Sequence, residues 1–137
     1  MESHYSLTDL EFEIQFSLAS LNPKLFNHEA HLRLAWIHIT KYGVGSAIEN
    51  ICSQLKYFTQ SIGAADKYNE TVTVAAVRAV DHFIRKSNHS TFQKFIEENS
   101  RLKTHFKDLI SSHYRTDIFN SASAKKLFLE PELMPFD

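Results

Sequence analysis

His28 and His31 are the residues of this chain best placed to act together. On a helix they stand one turn apart on neighbouring rows, where two side chains can converge. Two imidazoles at this spacing can ligate one metal ion from a single helix, as the carboxylate–histidine pairs of helical di-metal proteins do. The same spacing suits a pair of core histidines, provided each ring nitrogen finds a hydrogen-bond partner. A carboxylate is available at the start of a later helix, in the run Lys67-Tyr68-Asn69-Glu70-Thr71. Plotted at ~100° per residue, Asn69 and Thr73 fall near the middle of that helix's apolar stripe, and Glu70 falls at its margin beside Val77. A helix N-terminus favours an ionised carboxylate, so Glu70 is the candidate third ligand or the acceptor for a histidine N–H. The simpler reading is a first-turn glutamate that satisfies the helix dipole, with Asn69 as the cap.

Three functions follow from this set. In the first, His28, His31 and Glu70 hold a divalent metal, zinc or iron, and leave positions open for water or substrate. The metal would activate water or bind dioxygen, which makes the chain a small metal-dependent enzyme. Tyr68, Lys67 and Tyr114 are then candidate contacts to a small-molecule ligand, with Asn69 and Thr73 in the same pocket. In the second, no metal is needed, and Glu70 orients a histidine as a general acid–base pair or a binding pocket. In the third, the same residues form a buried polar network in a helical interaction module. No serine or cysteine nucleophile signature accompanies them.

The remaining histidines stand apart. His38 points near the His31 direction but lies roughly 10 Å further along the helix, too far to share an ion. It reads as a core or boundary histidine. His4 falls in a frayed terminus, His82 and His89 near a helix end at the surface or the dipole, and His105 and His113 too far apart for one site. Cys52 sits within an apolar stripe and reads as a buried structural thiol.

Local signals place these residues on helices. Thr8-Asp9-Leu10-Glu11 is a capping-box pattern that opens a first helix over Asp9 to Ser17, although the alternation Leu10, Phe12, Ile14, Phe16 also fits a strand. Asn22-Pro23 breaks the chain. Asn27 caps a second helix from His28 to Tyr42, stopped at Gly43. That helix is apolar over most of its circumference, with a narrow polar face of Glu29, Arg33 and Thr40, which makes it central. A third helix fits Ser46 to Ile62, and a long fourth fits Asp66 to Lys86. Ser90-Thr91-Phe92-Gln93 opens a fifth, a further stretch runs from Arg101 to Ser111, and a short helix fits Ala122 to Phe128. The spacing predicts an all-α fold, a compact single-domain bundle of five to seven helices over residues 1–137, with residues 1–7 and 130–137 irregular.

Composition narrows the classes. A length of 137 residues suits one domain with a real core, and 43% hydrophobic with 23% charged residues argues against wholesale disorder. The 15 basic and 16 acidic side chains are mixed along the chain, so no basic stripe offers the surface that nucleic acid requires. The single cysteine, Cys52, leaves no internal disulfide and fits a reducing compartment. No basic-then-apolar leader opens the sequence, and no run approaches the ~18 apolar residues of a membrane span. The expected address is the cytoplasm, without a membrane partner, and a homo-oligomer is compatible with all of this.

Two motifs resemble a family of short, uncharacterised bacterial proteins. Its aromatic-x-His-x-x-His-hydrophobic-x-x-Ala-Trp helix start corresponds to Phe26-Asn27-His28-Glu29-Ala30-His31-Leu32-Arg33-Leu34-Ala35-Trp36. Its Tyr-His-Glu-Thr motif corresponds to Tyr68-Asn69-Glu70-Thr71, with asparagine where the family has histidine. The ending Leu129-Glu130-Pro131-Glu132-Leu133-Met134-Pro135 is also similar, so the resemblance spans residues 10 to 135. It implies that His28, His31, Tyr68, Glu70 and Thr71 belong to one shared site. Asn69 stands where a further imidazole would be the fourth ligand beside His28, His31 and Glu70, and an asparagine oxygen is a poorer ligand for zinc or iron.

Overall fold

A computed structural model describes residues 3–136 and shows eight α-helices, with no strand among the described residues. The first helix, α1 (Asp9–Ser17), opens on the capping box. Thr8 Oγ1 accepts from the Glu11 amide at 3.1 Å, and the Glu11 carboxylate accepts from the Thr8 amide at 2.9 Å. The helix buries Phe12 and Phe16, one turn apart, and leaves Leu10 and Ile14 outside. The period is therefore that of a helix, and the strand alternative falls.

Helix α2 (His28–Tyr42) starts where Asn27 Oδ1 accepts from the Ala30 amide at 2.9 Å, and it stops at Gly43. Gly43 takes φ +88°, a left-handed conformation that side chains resist. Its carbonyl already accepts from the Ala47 amide, so helix α3 (Val44–Ser61) begins a little before the expected Ser46. One glycine thus closes one helix and opens the next. Helix α4 (Glu70–Arg85) begins later than expected. Residues Ala65–Lys67 form a separate short 3₁₀ turn, Tyr68 is extended, and the Asn69 side chain takes the Val72 amide at 3.0 Å. An asparagine that captures a backbone amide fixes the helix start at its own position. Helices α2, α3 and α4 pack on one another and form the centre of the molecule.

Helix α5 (Phe92–Glu98) is capped by Thr91. The expected helix over 101–111 is divided at His105, where φ −130° and ψ 32° separate α6 (Arg101–Thr104) from α7 (Phe106–Ser111). A short α8 (Ala122–Lys126) packs on α4. The following segment wraps back over the bundle, where the buried Thr71 hydroxyl donates to the Leu127 carbonyl at 2.7 Å and accepts from the Leu129 amide at 3.0 Å. No helix is long and apolar enough to cross a membrane among the described residues.

Two expectations about the N-terminal part are corrected. Arg33 does not face solvent, and His4 is not frayed; their exposures are 4% and 1%. The Arg33 guanidinium donates to the His4 carbonyl at 2.6 Å, to the Leu7 carbonyl at 2.9 Å and to Asp9 Oδ1 at 2.8 Å. It lies against the ring faces of Tyr5 and Phe12. A guanidinium with this many acceptors can leave water, because its donors are met and a carboxylate balances its charge. The result ties residues 4–9 onto α2, beside the helix turns that carry the histidine pair.

Candidate functional site

A cavity of about 490 Å³ lies among α2, α3 and α4. Leu32 and Ala35 line it from α2, Leu55 and Phe58 from α3, and Ala76 and Val77 from α4, while Phe26 and Phe106 close it near His28 and His31. This size is that of a small-molecule site, with predominantly apolar walls and few polar groups. Most of the polar lining comes from residues singled out in the sequence, His28, His31, Lys67, Tyr68, Asn69 and Thr73, with Asn27 and Thr59 beside them.

His31 has an unusual position. Its ring stacks on Phe26 at 3.9 Å between centroids, and its side chain makes no hydrogen bond among the described residues. The side chain is exposed, as is that of His28, so the pair lines the cavity from its open side rather than from the core. Burial, reinforced by the neighbouring His28, lowers its pKa from the ordinary 6.5 to about 4. His31 is therefore a neutral imidazole at physiological pH, with one N–H donor and one lone pair unused by the protein.

His28 is already anchored. Its Nε2 lies 3.0 Å from the Leu102 carbonyl, and since a carbonyl only accepts, the proton sits on Nε2. In the neutral form Nδ1 carries the lone pair. Its ring packs on Phe106 at 4.8 Å. The pair the sequence singled out therefore does share one space, with His28 fixed in tautomer and His31 free.

Glu70 departs from expectation. It does not line the cavity. Its carboxylate accepts from the Tyr68 hydroxyl at 2.5 Å, and Lys56 of α3 stands 3.7 Å away. The reason is angular: the helix margin that carries Glu70 turns toward Lys56 and the flank of α3, while Asn69 takes the inward position. Among the described residues, no group of three or more His, Cys, Asp and Glu side chains is arranged to hold a metal ion.

The other candidates divide in the same way. Asn69 is consumed by structure: Oδ1 caps α4, and Nδ2 donates to the Ile118 carbonyl at 2.8 Å. The Thr73 hydroxyl donates to the Asn69 carbonyl at 2.7 Å. Thr71, which the resemblance placed in the shared site, instead holds the wrapping segment. Tyr114 lies outside the cavity, where its hydroxyl donates to the Leu129 carbonyl at 2.8 Å and burial pushes its pKa up to about 12. Lys67 and Tyr68 do line the cavity. The Cys52 thiol is pushed up by burial, and His38 is a core residue with 1% exposure, both as expected.

The sequence reading missed the cavity's apolar wall. Its one visible signal is the use of alanine at inward positions, Ala35 and Ala76, where larger side chains would fill the space. A second cavity of about 450 Å³ lies under the wrapping segment, between Phe83, His113 and Phe136. There the His113 ring stacks on Phe136 at 4.1 Å, and Nδ1 meets the Met134 carbonyl at 2.8 Å.

Comparison of the chain with protein-family models, with curated proteins and with solved structures gives no match.

Proposed function

We propose that this protein binds a small, mostly apolar molecule in the cavity among α2, α3 and α4, with His31 as the principal polar contact. The observation that carries this reading is a neutral imidazole lining a cavity, with neither ring nitrogen hydrogen-bonded among the described residues. An imidazole at the open side of the cavity, with no partner for either nitrogen among the described residues, is available to hydrogen-bond a bound molecule. The apolar walls supply the rest of the affinity through removal of surface from water.

The test is binding of the neutral fluorescent probe N-phenyl-1-naphthylamine. Wild-type protein is expected to bind it with a blue-shifted, enhanced emission. Ala76→Phe fills the space and is expected to weaken binding by about tenfold or more, since overfilling a packed site costs ~1–3 kcal/mol. Equal binding by a folded Ala76→Phe variant would overturn the reading.

A second reading places zinc or iron on His28 and His31, with water or a bound molecule in the remaining positions. The neutral state of His31 supports it, because a metal takes the unprotonated imidazole. Calorimetric titration with zinc separates the two readings: His31→Leu abolishes metal binding if the ion is held there. We further propose a cytoplasmic location, a reading supported by the single buried thiol of Cys52.

A further inference from the structure

We propose that the ligand is an organic monocarboxylate whose apolar body fills the cavity and whose carboxylate meets Lys67 at the rim; this rests on the cavity reading above. The charge pattern of the lining carries the argument. Among the described residues that line the cavity there is no aspartate or glutamate, and Lys67 is the one with a full positive charge. Its exposed ammonium makes no hydrogen bond or ion pair among the described residues, as is true of Lys24, Lys86 and Lys94, but Lys67 alone of these lines the cavity. The acids nearest in sequence are turned elsewhere. Glu70 is taken by Tyr68 and Lys56, and the exposed Asp66 does not line the cavity.

The backbone reinforces the same sign. Asn27 and Asn69, the caps of α2 and α4, both line the cavity, so the positive ends of two helix dipoles lie at its border. The C-terminal turn of α3 also reaches the border, but its carbonyls at Phe58, Thr59 and Gln60 are taken by the amides of Ile62, Ala64 and Gly63. An anion is therefore favoured at the rim and a cation is not. Inside, the neutral His31 can accept or donate one hydrogen bond and presents no charge to repel an apolar body.

The experiment is displacement of N-phenyl-1-naphthylamine at pH 7.5 by decanoate, 2-naphthoate, decanol and decylammonium. Decanoate is expected to compete about fivefold better than decanol and decylammonium more weakly than either, in line with a charge pair at an exposed rim. Octanoate is expected to fall about tenfold below decanoate, at ~0.8 kcal/mol per methylene. Lys67→Gln, with each competitor measured against the variant's own probe affinity, is expected to bring decanoate to the level of decanol. Added salt is expected to weaken decanoate alone. A preference for 2-naphthoate over decanoate keeps the proposal and identifies an aromatic acid; the reverse identifies an acyl chain. Equal competition by decanol and decanoate, or a Lys67→Gln variant that retains the carboxylate preference, overturns the charge reading while the cavity reading stands. A probe that fails to bind, or that binds Ala76→Phe as well as wild type, overturns both.

Discussion

Lowering the pH tests the environment of His31 directly. The unfolded chain takes up a proton at His31 near 6.5, and the folded protein takes it up only near pH 4. Between these values the unfolded state binds more protons, so folding stability falls as pH falls. The contribution is complete above pH 6.5, is lost progressively below it, and is gone near pH 4. The full gap corresponds to about 3 kcal/mol at ~1.4 kcal/mol per unit. His31 borders an open cavity, however, and water there screens the imidazolium, which reduces the effect to about 1–2 kcal/mol. In melting temperature this amounts to roughly 3–8 °C. His4 and His38 are also lowered, chiefly by burial, and contribute with the same sign. The isolating comparison is therefore wild type against His31→Gln, which cannot take a proton. The assay is thermal unfolding at a series of pH values from 7.5 to 4, with the His31 ring followed by NMR. The variant is expected to show a shallower loss below pH 6.5, and the His31 resonances to remain those of a neutral ring until pH 4 is approached. A ring that titrates near 6.5, or two stability curves of the same slope, would refute the reasoning.

Three further outcomes are expected. Arg33→Met removes donors from the His4 and Leu7 carbonyls and is expected to cost about 2–4 kcal/mol by chemical denaturation, with accelerated proteolysis of residues 4–9. Thr71→Val keeps the shape but strips the hydroxyl that joins Leu127 to Leu129; a loss of about 1–3 kcal/mol, with faster amide exchange at Leu129, is expected. Asn69→His removes both the α4 cap and the Ile118 contact. It is expected to lower stability by about 1–2 kcal/mol, and unchanged stability would show that neither contact matters.

The elements that the sequence made legible are those decided within a few residues. Thr8 with Glu11, Asn27 and Gly43 each fix a helix boundary through contacts to the neighbouring backbone, and each was visible in the pattern. The break at His105 was not, because no glycine or proline announces it. Arg33 was assigned to the polar face because its acceptors come from residues 4–9, far from it in sequence. The histidine pair was legible from spacing and helical projection. Glu70 falls at the margin of a stripe, where a residue can turn to either side, and the position of Lys56 decides which. The cavity itself is a space left among three helices, and no single segment encodes it.

The contacts that hold Asn69 and Thr71 bear on the order in which the molecule can be completed. Arg33 finds its acceptors 24 to 29 residues upstream, so the segment that bears His28 and His31 can satisfy its buried charge early as the chain emerges. Asn69 and Thr71 wait for Ile118, Leu127 and Leu129, which follow 49 to 58 residues later. The local cap at Val72 forms without them, but the long-range contacts that fix the start of α4 against the wrapping segment need those residues. The wall that α4 gives the cavity is thus set by residues far downstream of the histidine pair.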